Sequence, residues 1–275
     1  MTTMDLPVRA QSRPAAVPSA LSDTWYLTGR KLRALARQPM VLAMGVIQPV
    51  IWLFLFGEMF HRIIDIPGFA HQGSYIAYLI PGIVAMNAMS GNMWAGMAMI
   101  EEIDRGTLNR FLVTPASRLA IMNASVVEQA VSTTIQTLII VGLGAAGGAR
   151  YPGGALGVVM LVVASIEVGV FWGALSNLTG MLVRERMAII GVYTLFMLPL
   201  MFLSSAFIQP GFLPGWMQAI ASRNPLNWEV QIGRSALSAV PDWSAIGVRA
   251  GGLAILAVLA VAISVTTFRN YAKNV

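Results

Sequence analysis

The 275-residue chain contains no cysteine and few charged residues. Without cysteine it can form no disulfide and no thiolate metal site, and it has no cysteine nucleophile. Charged residues make up 11% of the chain and hydrophobic residues 56%, whereas soluble domains carry roughly a quarter charged residues. The composition therefore excludes an ordinary soluble domain and predicts a membrane protein.

Catalytic and cofactor motifs are also missing. The sequence has no Gly-x-x-x-x-Gly-Lys-Ser/Thr loop to hold nucleotide phosphates, no Ser-His-Asp set and no His-Glu-x-x-His pair. His61 and His71 flank Asp65 in a predicted loop, but nothing in their spacing fixes the geometry of a metal site. We therefore expect no ATP hydrolysis by this chain alone and no cofactor or metal bound to it.

The sequence contains instead several long apolar runs. A helix needs about 20 apolar residues to cross a bilayer core of about 30 Å. No stretch between these runs is long enough for a separate soluble domain, which takes about 50 residues or more. We predict an all-α membrane protein, with one transmembrane domain over 21–275 and spans at about 40–60, 74–100, 119–143, 155–183, 187–207 and 245–268.

The N-terminal segment has two parts. Residues 1–20 are rich in Pro, Ala and Ser, which is typical of a disordered tail, and they lack the apolar core of a signal peptide. Over 21–38, apolar residues such as Trp25 fall on one helical face and basic residues such as Arg30 and Lys31 on the other. This pattern predicts a helix that lies on anionic headgroups at the membrane interface.

The positions of the basic residues predict the topology. Thirteen of the 18 Lys and Arg residues lie in the N-terminal segment, in 101–118, in 184–186 and at the C-terminus, and the other five lie on the opposite side. By the positive-inside rule both termini are cytoplasmic. We therefore expect a multi-pass protein of the plasma (inner) membrane, whose net charge of +6 reflects topology and indicates no nucleic-acid partner.

A charged stretch, residues 101–118, lies between two apolar runs. Leu108, Phe111 and Leu112 share one face at helical spacing, and Pro115 ends such a helix. The pattern predicts a short amphipathic helix at the membrane surface. On these grounds alone, a solvated loop with a helix lying on the membrane is an equally good interpretation.

Within this stretch the order Gly-Thr-Leu-x-Arg-x-Leu-Val-Thr-Pro-x-Ser-Arg follows Glu102 and Asp104. It resembles the cytosolic segment after the second span of type 2 ABC exporter permeases, the daunorubicin-resistance-like group. Ile103 stands where that group usually has a base, and Asn109 where it usually has Glu. The resemblance implies a coupling helix that docks on a separate nucleotide-binding ATPase subunit, which carries ATP and Mg. The residues assigned to this coupling are Glu101, Glu102, Asp104, Arg105, Gly106, Thr107, Leu108, Arg110 and Pro115.

A second stretch, Pro210 to Leu237, resembles the signature that follows the fifth span in the same family. The resemblance implies short re-entrant helices that cap the external end of the transport path before the last span. An ordinary extracellular amphipathic loop is the alternative interpretation. The match is carried by Leu213-Pro214, Trp216, Gln218, Asn224-Pro225-Leu226 and Arg234. The residues assigned to the external cap are Pro214, Trp216, Asn224, Pro225 and Arg234.

Polar residues inside the predicted spans are candidates for the substrate path. A carboxylate in the bilayer costs several kcal/mol unless it is paired, protonated or wetted, so Glu128 and Glu167 should face the protein interior or a cavity. Gln48 and Asn87 complete this candidate set, since polar residues usually lie on helix–helix faces. A purely structural role, protonated and bonded to a neighbouring helix, is the alternative for both acids.

The resemblance covers about 21–268 and implies the permease subunit of an ATP-driven exporter. Such a subunit would pair with a second copy or a sibling permease and move an amphipathic drug, lipid or glycolipid out of the cytoplasm or inner leaflet. The alternative is an ion-coupled secondary transporter that uses Glu128 and Glu167 as proton relays. Residues 40–143 and 155–268 show no convincing internal repeat, which disfavours it.

Overall fold

The structure, a computed structural model, describes residues 20–37, 39–60, 62, 74–105, 118–183, 185–207, 211 and 213–271. Over these residues the chain is helical and has no β-strand. The all-α class predicted from composition is therefore correct for this part of the chain.

Nine helices are found in these ranges. Their bounds are α1 Ala20–Ala36, α2 Pro39–Met59, α3 Tyr75–Asp104, α4 Arg118–Ala146, α5 Gly154–Val183, α6 Arg186–Phe202, α7 Gly215–Ala221, α8 Pro225–Leu237 and α9 Trp243–Tyr271.

Three helical stretches are long and apolar enough to cross a bilayer, namely Met122–Ala146 in α4, Gly154–Val183 in α5 and Trp243–Phe268 in α9. Two shorter apolar helices cover Ala43–Met59 and Arg186–Phe202. The α3 helix has 30 residues, so it is about 45 Å long at about 1.5 Å per residue. Its interior is more polar than that of α5, which matters for the site described below.

The α6 helix ends at Phe202, whereas the predicted span continued to about 207. The Leu203 N–H closes the last turn by donating to the Pro199 carbonyl at 2.7 Å. Ser204 then donates its hydroxyl to the Met201 carbonyl and accepts the Ala206 N–H. These bonds turn the chain out of the helix, so the serines lie in a compact turn, residues 203–207, instead of in a span.

The α3 and α5 helices cross at van der Waals distance because small residues line the crossing. A Cβ built on Gly96 would lie 2.2 Å from the Ser176 carbonyl oxygen, and one built on Gly180 would lie 2.7 Å from the Gly96 carbonyl oxygen. The Gly96 N–H donates to Ser176 Oγ at 3.0 Å. Small residues are what allow helix backbones to approach in a membrane, where polar groups add specific bonds. This contact makes α3 and α5 the centre of the bundle.

The α8 helix packs antiparallel along the first half of α5. The Gly153 N–H donates to the Leu237 carbonyl at 3.1 Å, which holds the C-terminal end of α8 at the start of α5. Towards its other end, Leu226 and Val230 share one apolar cluster with Val168. The N-terminal end of α8 therefore lies deep in the bundle, about 20 Å along α5 at about 1.5 Å per residue. With 13 residues, α8 is not among the helices long and apolar enough to span a bilayer.

Candidate functional site

The last turn of α3 is tied to two other helices by ion pairs. Arg30 of α1 lies 3.4 Å from Glu102, and Arg186 at the start of α6 lies 3.4 Å from Asp104. Glu101 pairs with Arg105 one turn further along α3. We call residues 101–105 the charged end of α3. Each acid in it has a basic partner within the chain, and two of these partners belong to other helices.

The charged end is helical up to Asp104, so α3 continues beyond the predicted end of the span near residue 100. The Arg105 N–H donates back to the carbonyls of Glu101 and Ile103 and ends the helix. Of the residues assigned to coupling, Gly106, Thr107, Leu108, Arg110 and Pro115 lie outside the described residues.

A cavity of about 350 Å³ opens between α1, α3 and α4 beside this charged end. Lys31, Glu102 and Glu128 line it together with amide side chains. Lys31 and Glu128 interact electrostatically across it. Gln129 is buried in its wall, and its Oε1 has no hydrogen-bond partner in the described part of the chain. That oxygen faces Gly173 of α5, so the cavity itself offers an acid and a base beside apolar helix surfaces.

Along one wall of this cavity and beyond it, polar side chains of α3, α4 and α5 bond to one another, and Asn92, Thr133 and Gln136 line the cavity themselves. Asn87 Nδ2 donates to Gln136 Oε1 at 2.7 Å, and Asn92 Nδ2 donates to Thr133 Oγ1 at 3.0 Å. Thr137 and Ser165 hydroxyls lie 3.1 Å apart. This seam, which is buried, explains why α3 is more polar than a lipid-facing helix: its amides bind the neighbouring helices.

The four residues predicted for the substrate path fall into three places. Gln48 and Asn87 line one small cavity of about 20 Å³ between α2, α3 and α6. Glu128 lies in the larger cavity at the charged end. Glu167 is on α5. Gln129 of α4 lies against Gly173 of α5, and Thr133 lies against Gly169, so the two helices run antiparallel. In this register Glu167 lies about seven residues, or about 10 Å at about 1.5 Å per residue, from the level of Glu128. The structure does not bring the two predicted acids together.

Glu167 has a different acidic neighbour, which sequence reasoning missed. Glu229 of α8 is fully buried and interacts electrostatically with Glu167. Both carboxyl oxygens of Glu229 and Oε2 of Glu167 lack a hydrogen-bond partner among the described residues. The sequence did contain a sign of this residue's importance, since Glu229 is the only acid between residues 208 and 241. Two such groups cannot both carry charge without a counter-ion or water.

Residues 214–237, comprising α7, the turn after it and α8, form a helical hairpin that we call the cap hairpin. Pro214 precedes α7 and Pro225 is the first residue of α8, positions where a missing N–H costs nothing. Asn224 caps α8 by accepting the Leu226 N–H, and its Nδ2 donates to the carbonyls of Leu200 and Leu203. One asparagine therefore starts α8 and fastens it to the end of α6.

Arg234 and Asn227 join the cap hairpin to the 203–207 turn. The Arg234 guanidinium lies 3.6 Å from the centre of the Tyr78 ring and donates to the carbonyls of Ser205 and Ala206. Asn227 Oδ1 accepts from both the N–H and the hydroxyl of Ser205. Sequence reasoning selected Arg234 but not Asn227. Trp216, by contrast, is an exposed side chain on α7, with 63% of its surface accessible.

These features define the class of protein, which is a multi-pass, all-α membrane protein built around a charged helix end and a hydrogen-bonded hairpin. A model of the ABC-2 type transporter family matches residues 22–237, and the chain belongs to that family. It is therefore the membrane subunit of an ABC transporter, in which ATP hydrolysis belongs to a separate subunit.

The chain is similar to several permeases. It is 28% identical over 255 residues to the daunorubicin resistance ABC transporter permease protein DrrB1 of Streptomyces coeruleorubidus, covering 90% of this chain and 86% of that protein. It is 30% identical over 217 residues to the putative transport permease ycf38 of Cyanophora paradoxa, covering 77% and 72%. The probable doxorubicin resistance ABC transporter permease protein DrrC of Mycobacterium tuberculosis (strain CDC 1551 / Oshkosh) is 20% identical over 224 residues, covering 82% and 80%.

Proposed function

We propose that this chain is the permease subunit of an ATP-driven exporter in the plasma membrane. Helices α2, α3, α4, α5, α6 and α9 would be its six spans, with both termini and the charged end in the cytoplasm. Two such subunits, identical or sibling, would enclose the path. ATP and Mg would be held by partner ATPase subunits that press on the stretch following the charged end.

The observation that carries this proposal is the set of ion pairs at the charged end. The stretch assigned to coupling begins in the last turn of a 30-residue helix, and that turn is also bonded to α1 and α6. A displacement applied to the stretch would therefore move the last turn of α3, the second half of α1 and the start of α6 together. Exposed pairs of this kind contribute about 0–1 kcal/mol each, so they can rearrange during a transport cycle.

The cavity beside the charged end supports an amphipathic cargo. Its volume of about 350 Å³ lies within the range of about 300–1,000 Å³ that is usual for small-molecule pockets. Lys31 and Glu128 would orient a polar group while the helix surfaces receive an apolar one. Names of the relatives include daunorubicin and doxorubicin resistance, which supports a drug as cargo, and lipids or glycolipids share the same chemistry.

The test is reconstitution of the purified chain in vesicles, alone and with its ATPase subunit. We expect ATP-dependent export and stimulated ATP hydrolysis only when both are present. Export by the lone chain would overturn the proposal. Glu128→Gln should weaken export of a cationic drug with normal expression, and the exposed Glu185→Gln is the matched control.

One observation favours the alternative function, a proton-coupled secondary transporter. The fully buried Glu229 interacts with the half-buried Glu167, and three of their four carboxyl oxygens are buried without a hydrogen-bond partner in the described residues, which suits a proton-binding position. Export driven by a pH gradient without ATP, and abolished by Glu167→Gln, would support this alternative. If Glu167→Gln leaves export unchanged at normal expression, neither transport mechanism uses this acid.

A further inference from the structure

A second large cavity, of about 580 Å³, lies between the cap hairpin and α9, away from the charged end. Val248 of α9 lines it and is 77% exposed. Because α9 contains a stretch long and apolar enough to span the membrane, the exposed Val248 indicates that the cavity opens sideways towards lipid. Its contents are therefore expected to come from the bilayer.

The inner wall of this cavity is a flat aromatic surface. The Trp228 ring packs against Gly252, where an added Cβ would come within 3.0 Å of the ring. Trp228 Nε1 donates to the Ser222 carbonyl at 2.7 Å, so the polar edge of the indole is already satisfied by the protein. The wall facing the cavity is apolar and suits an acyl chain.

One basic side chain enters this apolar cavity. Arg249 lies six residues after Trp243, the first residue of α9, which is about 9 Å along the helix at about 1.5 Å per residue. Its side chain turns back towards the start of α9, and Nη1 donates to the Ala245 carbonyl at 3.3 Å. That is the one hydrogen bond found for Arg249 within the described ranges. A guanidinium has five N–H donors, so most remain available to an anion.

An acid, Asp242, is hydrogen-bonded to two residues that line the same cavity, Ser244 and Ala245. Asp242 Oδ1 accepts the Ala245 N–H and the Ser244 hydroxyl, each at 3.0 Å. These hydrogen bonds, that of Ala245 first, hold the pKa of Asp242 below its usual range, so the side chain is a carboxylate at neutral pH. Asp242 also interacts electrostatically with Arg249. Arg249 in the cavity and Asp242 next to it thus supply a cation and an anion near an apolar wall.

We propose that this cavity binds a zwitterionic phospholipid of the outer leaflet with a primary-amine headgroup, its phosphate on Arg249 and its ammonium on Asp242. The charge order of the headgroup matches that of the protein, and Arg–phosphate contacts are charge-assisted hydrogen bonds. A net-anionic headgroup would place excess negative charge beside Asp242, and a trimethylammonium group could donate no N–H to it. The acyl chain would lie on Trp228 and Val248. The inference rests on the orientation given in the proposed function, with the start of α9 outside.

The experiment is native mass spectrometry of the delipidated protein titrated with phosphatidylethanolamine, phosphatidylcholine or phosphatidylglycerol. We expect phosphatidylethanolamine to bind about tenfold more tightly than the other two, as one charge-assisted contact predicts. Arg249→Gln should lower its affinity by about tenfold, and Asp242→Asn should abolish the preference over phosphatidylglycerol. Arg150→Gln, which removes an exposed arginine between α4 and α5, is the matched control and should change nothing.

A second variant tests the shape of the cavity independently of its charged groups. Ala245→Phe keeps both charged groups but fills the cavity, so it should also reduce phosphatidylethanolamine binding. Equal binding by wild type, Arg249→Gln and Ala245→Phe would overturn the proposal, as would a preference for phosphatidylglycerol. Full competition by inorganic phosphate would show an anion site without lipid recognition and would overturn it as well.

Orientation is tested separately. The chain has no cysteine, so Ser244→Cys provides one label site at the cavity mouth. A membrane-impermeant maleimide should label it from outside intact cells. Labelling only after the cells are opened would contradict the proposed orientation, and the lipid titration in detergent would still report on the site itself.

Discussion

The charged end of α3 and the cap hairpin are both held by polar contacts, but in opposite ways. At the charged end, single ion pairs of 3.4 Å join side chains that are 23–59% exposed. In the cap hairpin, Asn227 is buried and Arg234 is largely buried, and each makes more than one shorter bond. Exposed pairs contribute about 0–1 kcal/mol, whereas losing a buried hydrogen-bond partner costs about 1–3 kcal/mol.

This difference indicates which part of the molecule can move. Contacts at the charged end can exchange partners at little cost, so α1, α3 and α6 can shift relative to one another there. The cap hairpin is fastened to α3, to α5 and to the 203–207 turn, and it should move with them as a unit. The comparison predicts large stability effects in the cap hairpin and small ones at the charged end.

The largest effect is expected for Arg234→Ala. The substitution removes the Arg234 donor from the carbonyls of Ser205 and Ala206, leaving Ser205 only the Tyr78 hydroxyl at 3.4 Å, and it removes the contact with the Tyr78 ring. We expect the free energy of unfolding to fall by about 2–5 kcal/mol, measured by denaturant titration in detergent micelles. Arg223→Ala, on an exposed arginine of the same hairpin, is the control and should lie within about 0.5 kcal/mol of wild type. Equal effects of the two would remove the distinction between buried and exposed arginines.

Asn227→Ala should have the next largest effect. It breaks the bonds to the N–H and hydroxyl of Ser205 and the donation to the Ala221 carbonyl at 2.8 Å. A loss of about 2 kcal/mol is expected, because buried groups lose their partners. Ser222→Ala, which removes an exposed hydroxyl bonded only locally to Ala219, provides the comparison. If both variants unfold at the same denaturant concentration, the hairpin is not held by Asn227.

Glu229→Gln, also in the cap hairpin, should change the free energy of unfolding in the opposite direction. The carboxyl is fully buried beside Glu167 without a hydrogen-bond partner in the described residues. An amide of the same shape removes an ionisable group from the interior, so stability should rise by up to about 1 kcal/mol or stay unchanged. The exposed Glu185→Gln serves as control in the same titration. A loss of more than about 2 kcal/mol would show that the carboxyl holds an ion or a donor.

Composition and motif order predicted much of this molecule. Low charge and long apolar runs predicted the all-α membrane class. The family resemblance selected Asn224 and Pro225, which begin α8, where a proline after a capping asparagine suits a first turn. Such local signals depend on a few neighbouring residues. The same resemblance selected Arg234.

Pairings between distant residues could not be predicted in this way. The contact of Glu167 with Glu229 depends on α8 lying antiparallel along α5, and that depends on Gly153 and Gly157 allowing close approach to Ala236. The Arg30–Glu102 pair joins residues that are 72 apart in sequence. No periodicity within one helix carries information about the helix that it meets.

The smallest stability effect is expected for the Asp104–Arg186 pair, and it separates stability from coupling. Asp104→Arg and Arg186→Asp should each change the free energy of unfolding by no more than about 1 kcal/mol, since both side chains are more than half exposed. Each should nevertheless uncouple ATP hydrolysis from export in the reconstituted complex, because α6 no longer follows the charged end. The double substitution restores an ion pair with reversed order and should recover export. If the double variant remains uncoupled while both single variants fold normally, motion reaches α6 by another route and this pair is only a surface contact.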